Sequence, residues 1–342
     1  SIGGPIIKDK LFFFYTYEGQ RQQQGVSVVR TVPMAHVGQG TLRFFGSGPS
    51  CTGGFCSVPL AELNNIYSEV GINPIAMQFL ASAAQKYPVN DDTVGDGVNT
   101  GGYRFNSPTE TEENTHITRL DYKLTDSQSL YFRANFQRDH LTGTSQFPDT
   151  LAGTSWDHPW GMVAGHDWAI NANMVNNFRY GFTRQAFSTT GDSTDNTIFF
   201  RFVFQPLAFT RTLSRITPTQ NITDDFTWIQ GNHTWRFGGN VRAIRNKRVD
   251  YGSAYDTAIT NPSFYNLSGR VLDQAVSGSG YSFARSQRTI IQNTAAALIG
   301  RYSDYSGSYT FDIDGNPLEQ GTPTDRNFAT EECDLYVQDA WK

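Results

Sequence analysis

The sequence predicts an all-β chain whose strands form one large antiparallel sheet. Aromatic residues make up 14% of the 342 residues and charged residues only 17%. Apolar and polar side chains also alternate with a period of two over long stretches, which is the pattern of strands that bury one face. A chain of this length is long enough for two soluble domains or for part of one large sheet, and the alternation favours the sheet.

The clearest hairpin lies at residues 113 to 139, around the turn TDSQ. In its first strand apolar residues share one face, while Arg119 and Asp121 share the other. Two further hairpins with the same alternation are predicted at residues 160 to 185, around NANM, and at 221 to 248, around QGN. With the strands near both ends of the chain, we expect about eight principal strands.

The connections between hairpins are much longer than the turns inside them. Long segments are predicted at 22 to 112, 140 to 158, 188 to 218 and 248 to 327. Soluble domains rarely repeat structureless loops of more than about 15 residues, whereas transmembrane β-barrels combine short periplasmic turns with long extracellular loops. The sequence therefore predicts part of a large antiparallel transmembrane β-barrel, present as an open, curved sheet. We expect 22 to 112 and 248 to 327 to lie outside the cell.

Two short helices are predicted inside the first long loop. The stretch PLAELNNIYSEVG carries apolar residues at helical spacing from Leu60 to Val70. A second helix is expected to begin at Pro74 with Asn73 as its N-terminal cap. Its predicted buried stripe consists of Ile75, Phe79, Leu80 and Ala83.

The stretch KLFFFYTYEG places five aromatic residues within a few positions of a basic turn. Because successive side chains point to opposite faces of a strand, Phe12 and Phe14 would share the lumen face. The residues expected to meet lipid are Leu11, Phe13, Tyr15 and Tyr17. A water-filled pore seldom carries phenylalanines inside, whereas a lumen filled by protein can pack against them.

The same alternation assigns further side chains to the lumen. The predicted lumen-facing residues are Phe12, Phe14, Arg119, Asp121, Arg133, Arg179, Asp225, Arg236 and Arg242. The five arginines either form a basic path for an anionic solute or pair with Asp121, Asp225 and carboxylates of a plug. Pairing is favoured, since ion pairs also satisfy polar groups inside large barrels.

The stretches just described resemble those of TonB-dependent outer-membrane receptors, in particular the Oar-like group that carries a carboxypeptidase-regulatory-like domain. The matching stretches, in the order of the family, are GGPIIKDKLFFFYTYEG, RTVPMAHVGQG, TRLDYKLTDSQSLYFRANF, NNFRYGFTR, WIQGNHTWRFGGNVR and YVQDAWK. They are spread over nearly the whole chain, and it is their joint occurrence that is specific.

The resemblance implies active uptake of a solute across the bacterial outer membrane. In that family the first stretch closes the first barrel hairpin after the plug. The resemblance therefore implies that residues 1 to 342 are the N-terminal part of the β-barrel and supply wall and loops, with the plug and the remaining strands outside this piece. The implied partners are outer-membrane lipid, the TonB–ExbB–ExbD complex acting through the plug, and a solute that is a carbohydrate, a peptide or a metal chelate. Two alternatives stay open: a secreted glycan-binding β-protein and a passive outer-membrane porin.

The sequence predicts neither an enzyme nor a cofactor site. No pair of its six histidines has the i, i+4 spacing of a zinc site, and the GDS at 191 to 193 lacks the strand–turn–helix setting of a nucleophile. The acidic loop at 90 to 97 lacks the ligand spacing of a known calcium loop, so a solvated loop is favoured. A net charge of −5 gives no basic surface for nucleic acid.

Three cysteines are present, and two of them lie close together in CTGGFC. Gly53 and Gly54 permit a tight reversal between Cys51 and Cys56, and an oxidising compartment would let them form a disulfide. Cys333 is left without a partner.

Overall fold

The computed structural model describes residues 1–68 and 70–342, and strands account for most of the chain. The strands are β1 Ile2–Ile7, β2 Leu11–Pro33, β3 Leu42–Ser47, β4 Cys51–Thr52, β5 Phe55–Val58, β6 Thr100–Lys123, β7 Gln128–Ser145, β8 Ala152–Asp157, β9 Trp160–Asn171, β10 Met174–Thr190, β11 Thr197–Phe200, β12 Leu213–Gln230, β13 His233–Asp250, β14 Thr257–Thr260, β15 Ser282–Phe283, β16 Asp304–Ser306 and β17 Thr324–Trp341. The helices are α1 Ala35–Gly38, α2 Leu60–Ile66, α3 Pro74–Lys86, α4 Arg270–Gly278 and α5 Arg288–Ile299, with 3₁₀ turns at Pro262–Phe264 and Arg285–Gln287.

One antiparallel sheet, which we call the wall, contains the long strands. Their order is β1, β2, β6, β7, then β8 together with β9, then β10, β12, β13 and β17. β8 and β9 follow each other along the chain and share one position between β7 and β10. The wall therefore has nine positions, one more than expected from the sequence. Within the described residues β1 pairs only with β2 and β17 only with β13, which confirms the predicted open sheet.

All three predicted hairpins are confirmed. β6 and β7 meet around residues 124 to 127, β9 and β10 around 172 to 173, and β12 and β13 around 231 to 232. Tight turns suffice here because antiparallel neighbours need only a few connecting residues.

The long connections are shorter than predicted, because the strands continue beyond the predicted ends. β2 and β6 stay in unbroken register from Leu11 opposite Tyr122 to Pro33 opposite Thr100, so the first loop covers 34 to 99 rather than 22 to 112. β13 likewise pairs with β17 as far as Asp250 opposite Thr324, and the second covers 251 to 323 rather than 248 to 327. The added strand residues, such as those in GQRQQQG, are polar on both faces and therefore show no alternation.

The connecting segments pack together into a second body, which we call the loop cap: residues 34–99 apart from 69, 146–151, 191–212 and 251–323. Almost all of the buried core of the molecule lies here, with Val32 near the end of β2 contributing from the wall. Fully buried side chains from all four segments contribute, among them Phe44, Leu80, Phe147, Val203 and Ile291. Burying each such side chain stabilises the fold by about 1.5–3 kcal/mol. Among the described residues, no helix is both long enough and apolar enough to cross a membrane.

The two predicted helices of the first loop are present as α2 and α3. Asn73 caps α3 as expected, since its Oδ1 accepts the Ile75 N–H at 3.0 Å and Pro74 follows it. The first helix ends at Ile66, so the predicted continuation to Val70 is wrong; Glu69, within that stretch, lies outside the described residues.

The predicted buried stripe of α3 is only half right. Leu80 and Ala83 are buried, but Ile75 and Phe79 are exposed, and Ala76 is buried instead. Neighbouring backbone comes too close to α3 for large side chains: a methyl group built on Gly300 would lie 2.2 Å from the Ala76 Cβ. A small residue, Ala76, therefore occupies this position of the packed face.

Candidate functional site

The register of the wall sorts its side chains onto two faces, because directly opposite residues of an antiparallel pair share a face. One row of opposite residues runs from Phe12 through Asp121 to Tyr131, and the next from Phe14 through Arg119 to Arg133. Following the pairing across the wall, every predicted lumen-facing residue lies on this same face: Phe12, Phe14, Arg119, Asp121, Arg133, Arg179, Asp225, Arg236 and Arg242. We call it the polar face.

Part of the charge on the polar face is paired. Arg119 Nη2 lies 2.8 Å from Asp121 Oδ1, and Arg242 pairs at 2.6 Å with Glu332, a partner that the sequence did not indicate. Asp225 accepts the hydroxyl of Tyr336 at 2.9 Å. Among the described residues Arg133, Arg179 and Arg236 have no carboxylate within 4.0 Å. Of the predicted pairs, Arg119 with Asp121 is therefore present, Asp225 forms no ion pair among the described residues, and pairing with plug carboxylates stays a prediction.

The two phenylalanines of the polar face are open to solvent. Phe12 is 42% and Phe14 43% exposed. Their opposite residues on β1 are Pro5 and Gly3, which are too small to cover the rings. Phe12 and Phe14 therefore form an apolar surface inside a polar face.

The other face of the wall, the apolar face, carries two belts of aromatic residues. Near the short turns, Trp228 lies opposite Trp235 and beside Met174; near the loop cap, Phe136 stacks on Trp160 with the ring centroids 5.9 Å apart. On β10 the belts lie at Met174 and at Arg184. At ~3.3 Å per residue that is roughly 33 Å along the strand, or roughly 23 Å across a bilayer at a tilt of about 45°, close to the ~25 Å apolar band of outer-membrane barrels.

The family comparison is decisive at this point, because the model of the outer membrane beta barrel domain matches residues 1–342. The chain belongs to this family. No curated protein and no solved structure matched the chain. This outer-membrane β-barrel domain therefore resides in the bacterial outer membrane, where barrels present their apolar face to lipid and their polar face to the lumen.

The barrel domain also carries charged residues that the sequence interpretation missed. One continuous row of opposite residues crosses eight strands of the polar face: Gln20, Glu113, Asp139, Asp157, Phe187, Arg215, Arg248 and Arg326. We call it the charge row. The predicted loops 188 to 218 and 248 to 327 placed Arg215 and Arg326 outside the strands and left Arg248 at the very end of one. In TRTLSRITPTQN the apolar residues Leu213 and Ile216 fall on opposite faces of the strand, so no alternation marked this extension.

A hollow of about 570 Å³ lies beside the charge row on the polar face. Gly161 and Gly181 leave space there because they carry no side chain, and the surrounding groups are mostly hydroxyls and amides. The polar lining includes Thr115, Asn135, Gln137, Thr183, Thr219 and Asn221.

The structure joins Cys51 and Cys56 in a disulfide across the turn that Gly53 and Gly54 form at positive φ. Cys333 is free and exposed, and it lies opposite Val241 on the apolar face. The disulfide closes a hairpin of the loop cap.

Two of the three carboxylates of the acidic loop, those of Asp91 and Asp96, have partners within the protein. Asp96 Oδ1 accepts the backbone N–H groups of Val98, Asn99 and Thr100, and Asp91 Oδ2 pairs with Arg104 at 2.5 Å. Hydrogen bonds and this ion pair lower the pKa of Asp91 below its usual value, the bonds from Thr93 contributing most. Among the described residues, no three acidic, histidine or cysteine side chains converge as a metal site would require.

Proposed function

We propose that this barrel domain forms part of the wall and the outer loops of a TonB-dependent receptor, which takes up a solute actively across the outer membrane. The exposed pair Phe12 and Phe14 carries the proposal. In a water-filled porin both rings would stay wet, whereas a receptor lumen is filled by a folded plug that can cover them. TonB, energised by ExbB and ExbD, would then remodel the plug to admit the solute.

The edges of the wall support a large, protein-filled barrel. β1 and β17 have unpaired edges within the described residues, and lipid cannot satisfy backbone N–H and C=O groups, at a cost of several kcal/mol each. A wall of nine strand positions therefore closes in lipid only when further strands pair with its two edges. Transporters of about 22 strands have a plugged lumen.

The family membership leaves a passive porin as the competing function, while it disfavours a soluble secreted glycan-binding protein because the domain belongs to the outer membrane. Conductance of the full-length protein in planar lipid bilayers separates porin from receptor. A plugged receptor is expected to stay closed, and the periplasmic domain of TonB is expected to bind it in a pull-down.

Replacement of both rings, Phe12→Asn with Phe14→Asn, is expected to loosen the plug and to produce measurable conductance. Thr16→Asn on the same face of β2 serves as the matched control and should leave the channel closed. Steady, large conductance of the unmodified protein, without TonB binding, would contradict the receptor and favour the porin.

A further inference from the structure

The charge row separates its charges into two halves. Glu113, Asp139 and Asp157 lie directly opposite one another on β6, β7 and β8. Arg215, Arg248 and Arg326 do the same on β12, β13 and β17. The ring of Phe187 stands between the halves on β10. The row lies just beyond the aromatic belt at Arg184, on the side of the loop cap.

Each half is unfavourable by itself, because like charges directly opposite in a sheet repel. Few partners within the described residues relieve this repulsion. Glu113 and Asp157 form no ion pair there, and Asp139 Oδ1 is buried without a hydrogen bond. The acidic half thus has no cationic partner within ion-pair distance among the described residues, and Gln137 donates one hydrogen bond to Asp139 Oδ2.

The basic half is only partly compensated. Arg248 pairs with Asp250 at 2.6 Å, and Arg326 donates to the Phe311 carbonyl at 2.5 Å. Arg215 has no ion pair among the described residues; its guanidinium lies 5.8 Å from the Phe187 ring centroid. The Nε atoms of Arg215 and Arg248 are both buried without a hydrogen-bond partner.

We propose that the charge row is the capture site for a short zwitterionic peptide. This proposal rests on the proposed function and names the class of its solute. The α-ammonium group of the peptide binds the carboxylate half, and its α-carboxylate binds Arg215. A purely anionic solute would meet three carboxylates and a purely cationic one three guanidinium groups, so both are disfavoured.

The spacing sets the length of the peptide. Asp157 and Arg215 are separated by β10, which is two strand spacings or roughly 9.6 Å. An extended peptide of about three residues spans roughly 10 Å, whereas a single amino acid spans only about 3.5 Å. The hydroxyls and amides of the adjacent hollow, such as Gln137 and Thr183, can bond to the peptide backbone.

The test is the binding of tri-alanine to the purified full-length protein, measured by calorimetry. N-acetylated tri-alanine and tri-alanine amide, each lacking one terminal charge, are expected to bind about tenfold more weakly, since one charge-assisted interaction is lost. Because this arm uses the unmodified protein, no variant has to fold. Equal binding of all three peptides, or no binding of tri-alanine, would overturn the proposal.

Two variants assign the termini. Arg215→Gln is expected to weaken the binding of tri-alanine about tenfold and to leave the binding of tri-alanine amide unchanged, because the amide lacks the carboxylate. Asp157→Asn is expected to weaken tri-alanine by the same factor and to leave N-acetylated tri-alanine unchanged, because that peptide lacks the ammonium group. Arg245→Gln and Glu112→Gln, on the apolar face, are the matched controls and should bind like wild type. Failure of peptide binding in a channel that stays closed and binds TonB would refute the peptide site alone and leave the receptor standing.

Discussion

At the scale of single residues, His36 in the loop cap shows how burial and charge combine. The side chain is only 8% exposed; one ring nitrogen lies 3.2 Å from Asn99 Oδ1 and the other 3.3 Å from the Arg43 guanidinium. Burial lowers the pKa of His36, and nearby Arg43 lowers it further, against the opposing hydrogen bond of Asn99 and the charge of Asp96. The folded cap therefore holds this imidazole neutral.

We expect the stability of the loop cap to fall in mild acid because of His36. The unfolded imidazole titrates near ~6.5 and the folded one below it, so between the two values the unfolded state binds more protons. The contribution of His36 to the stability of the cap is fully present above pH ~6.5. It is lost as the pH falls from there through the lower pKa of the folded state. Protease resistance of the cap, followed from about pH 8 to about pH 5, measures this loss.

The variant His36→Gln should flatten that pH dependence, since glutamine does not titrate. The matched change His140→Gln removes a solvent-exposed histidine of the wall and should leave the dependence in place. A wild-type cap equally resistant across the range would show that His36 does not govern it.

A second residue-scale feature is the ring of Tyr131, which lies over Gly165 on the polar face. A methyl group built on Gly165 would lie 2.2 Å from Tyr131 Cε1, and the guanidinium of Arg119 lies 5.3 Å from the centroid of the same ring. The glycine thus provides the space in which tyrosine and arginine stack.

We expect Gly165→Ala to destabilise the wall by about 1–3 kcal/mol, the usual cost of overpacking. The midpoint of urea unfolding in detergent gives the measurement. Gly181→Ala is the control, because its methyl group would come no closer than 3.9 Å to Asn221. Equal midpoints for the two variants would argue against the stacking.

At the scale of elements, Phe147 connects the wall to the loop cap. It follows the last residue of β7, Ser145, by two positions; it is fully buried and stacks on Tyr87 with the ring centroids 4.0 Å apart. The hydroxyl of Tyr87 donates to Asp149. Lys86 Nζ also donates to Asp149, at 3.0 Å. One ring thus joins the strand end to α3.

We expect Phe147→Ala to cost about 3–5 kcal/mol and to loosen the cap before the wall. Limited proteolysis of intact cells should cut the segments 34–99 and 251–323 of the variant, while the membrane-embedded wall stays intact. Leu151→Ala, four residues along and 71% exposed, should behave like wild type. If the variant and this control are cut at the same rate, Phe147 does not support the cap.

The elements that the sequence revealed are those with one wet and one apolar face. The three hairpins, α2 and α3 all show such a contrast, and the alternation placed Arg179 and Asp225 on one face. α5 escaped prediction because Ile291 and the run from Thr294 to Ile299 are buried on all sides, so its sequence has no amphipathic stripe. The charge row escaped because its position depends on the register between strands, which a single sequence does not specify once both faces are polar.

At the scale of the whole molecule, the two ends of the wall differ. One end has the turns at residues 124 to 127, 172 to 173 and 231 to 232, and the other bears the entire loop cap. Outer-membrane barrels direct their short turns to the periplasm and their long loops outward. We infer the same orientation for this chain.

This orientation predicts the outcome of cysteine labelling in intact cells with a membrane-impermeant maleimide. In a background with Cys333→Ala, Ser127→Cys should stay unlabelled and Ile313→Cys, at a position 86% exposed in the cap, should react. Cys51 and Cys56 are oxidised and do not compete. Labelling at position 127 but not at 313 would reverse the assignment.

The loop cap, finally, has a consequence for biogenesis. Its hydrogen bonds join residues that are far apart in the chain: the backbone N–H of Phe45 donates to Gln287 and the hydroxyl of Tyr281 to Glu62. Such non-local contacts form late, because closing long loops costs entropy before any contact is gained. The cap can therefore assemble only after the hairpins between its segments have been inserted and their loops have crossed the bilayer. A chain whose wall stalls during insertion would display unpacked loops at the cell surface, where proteases could remove it.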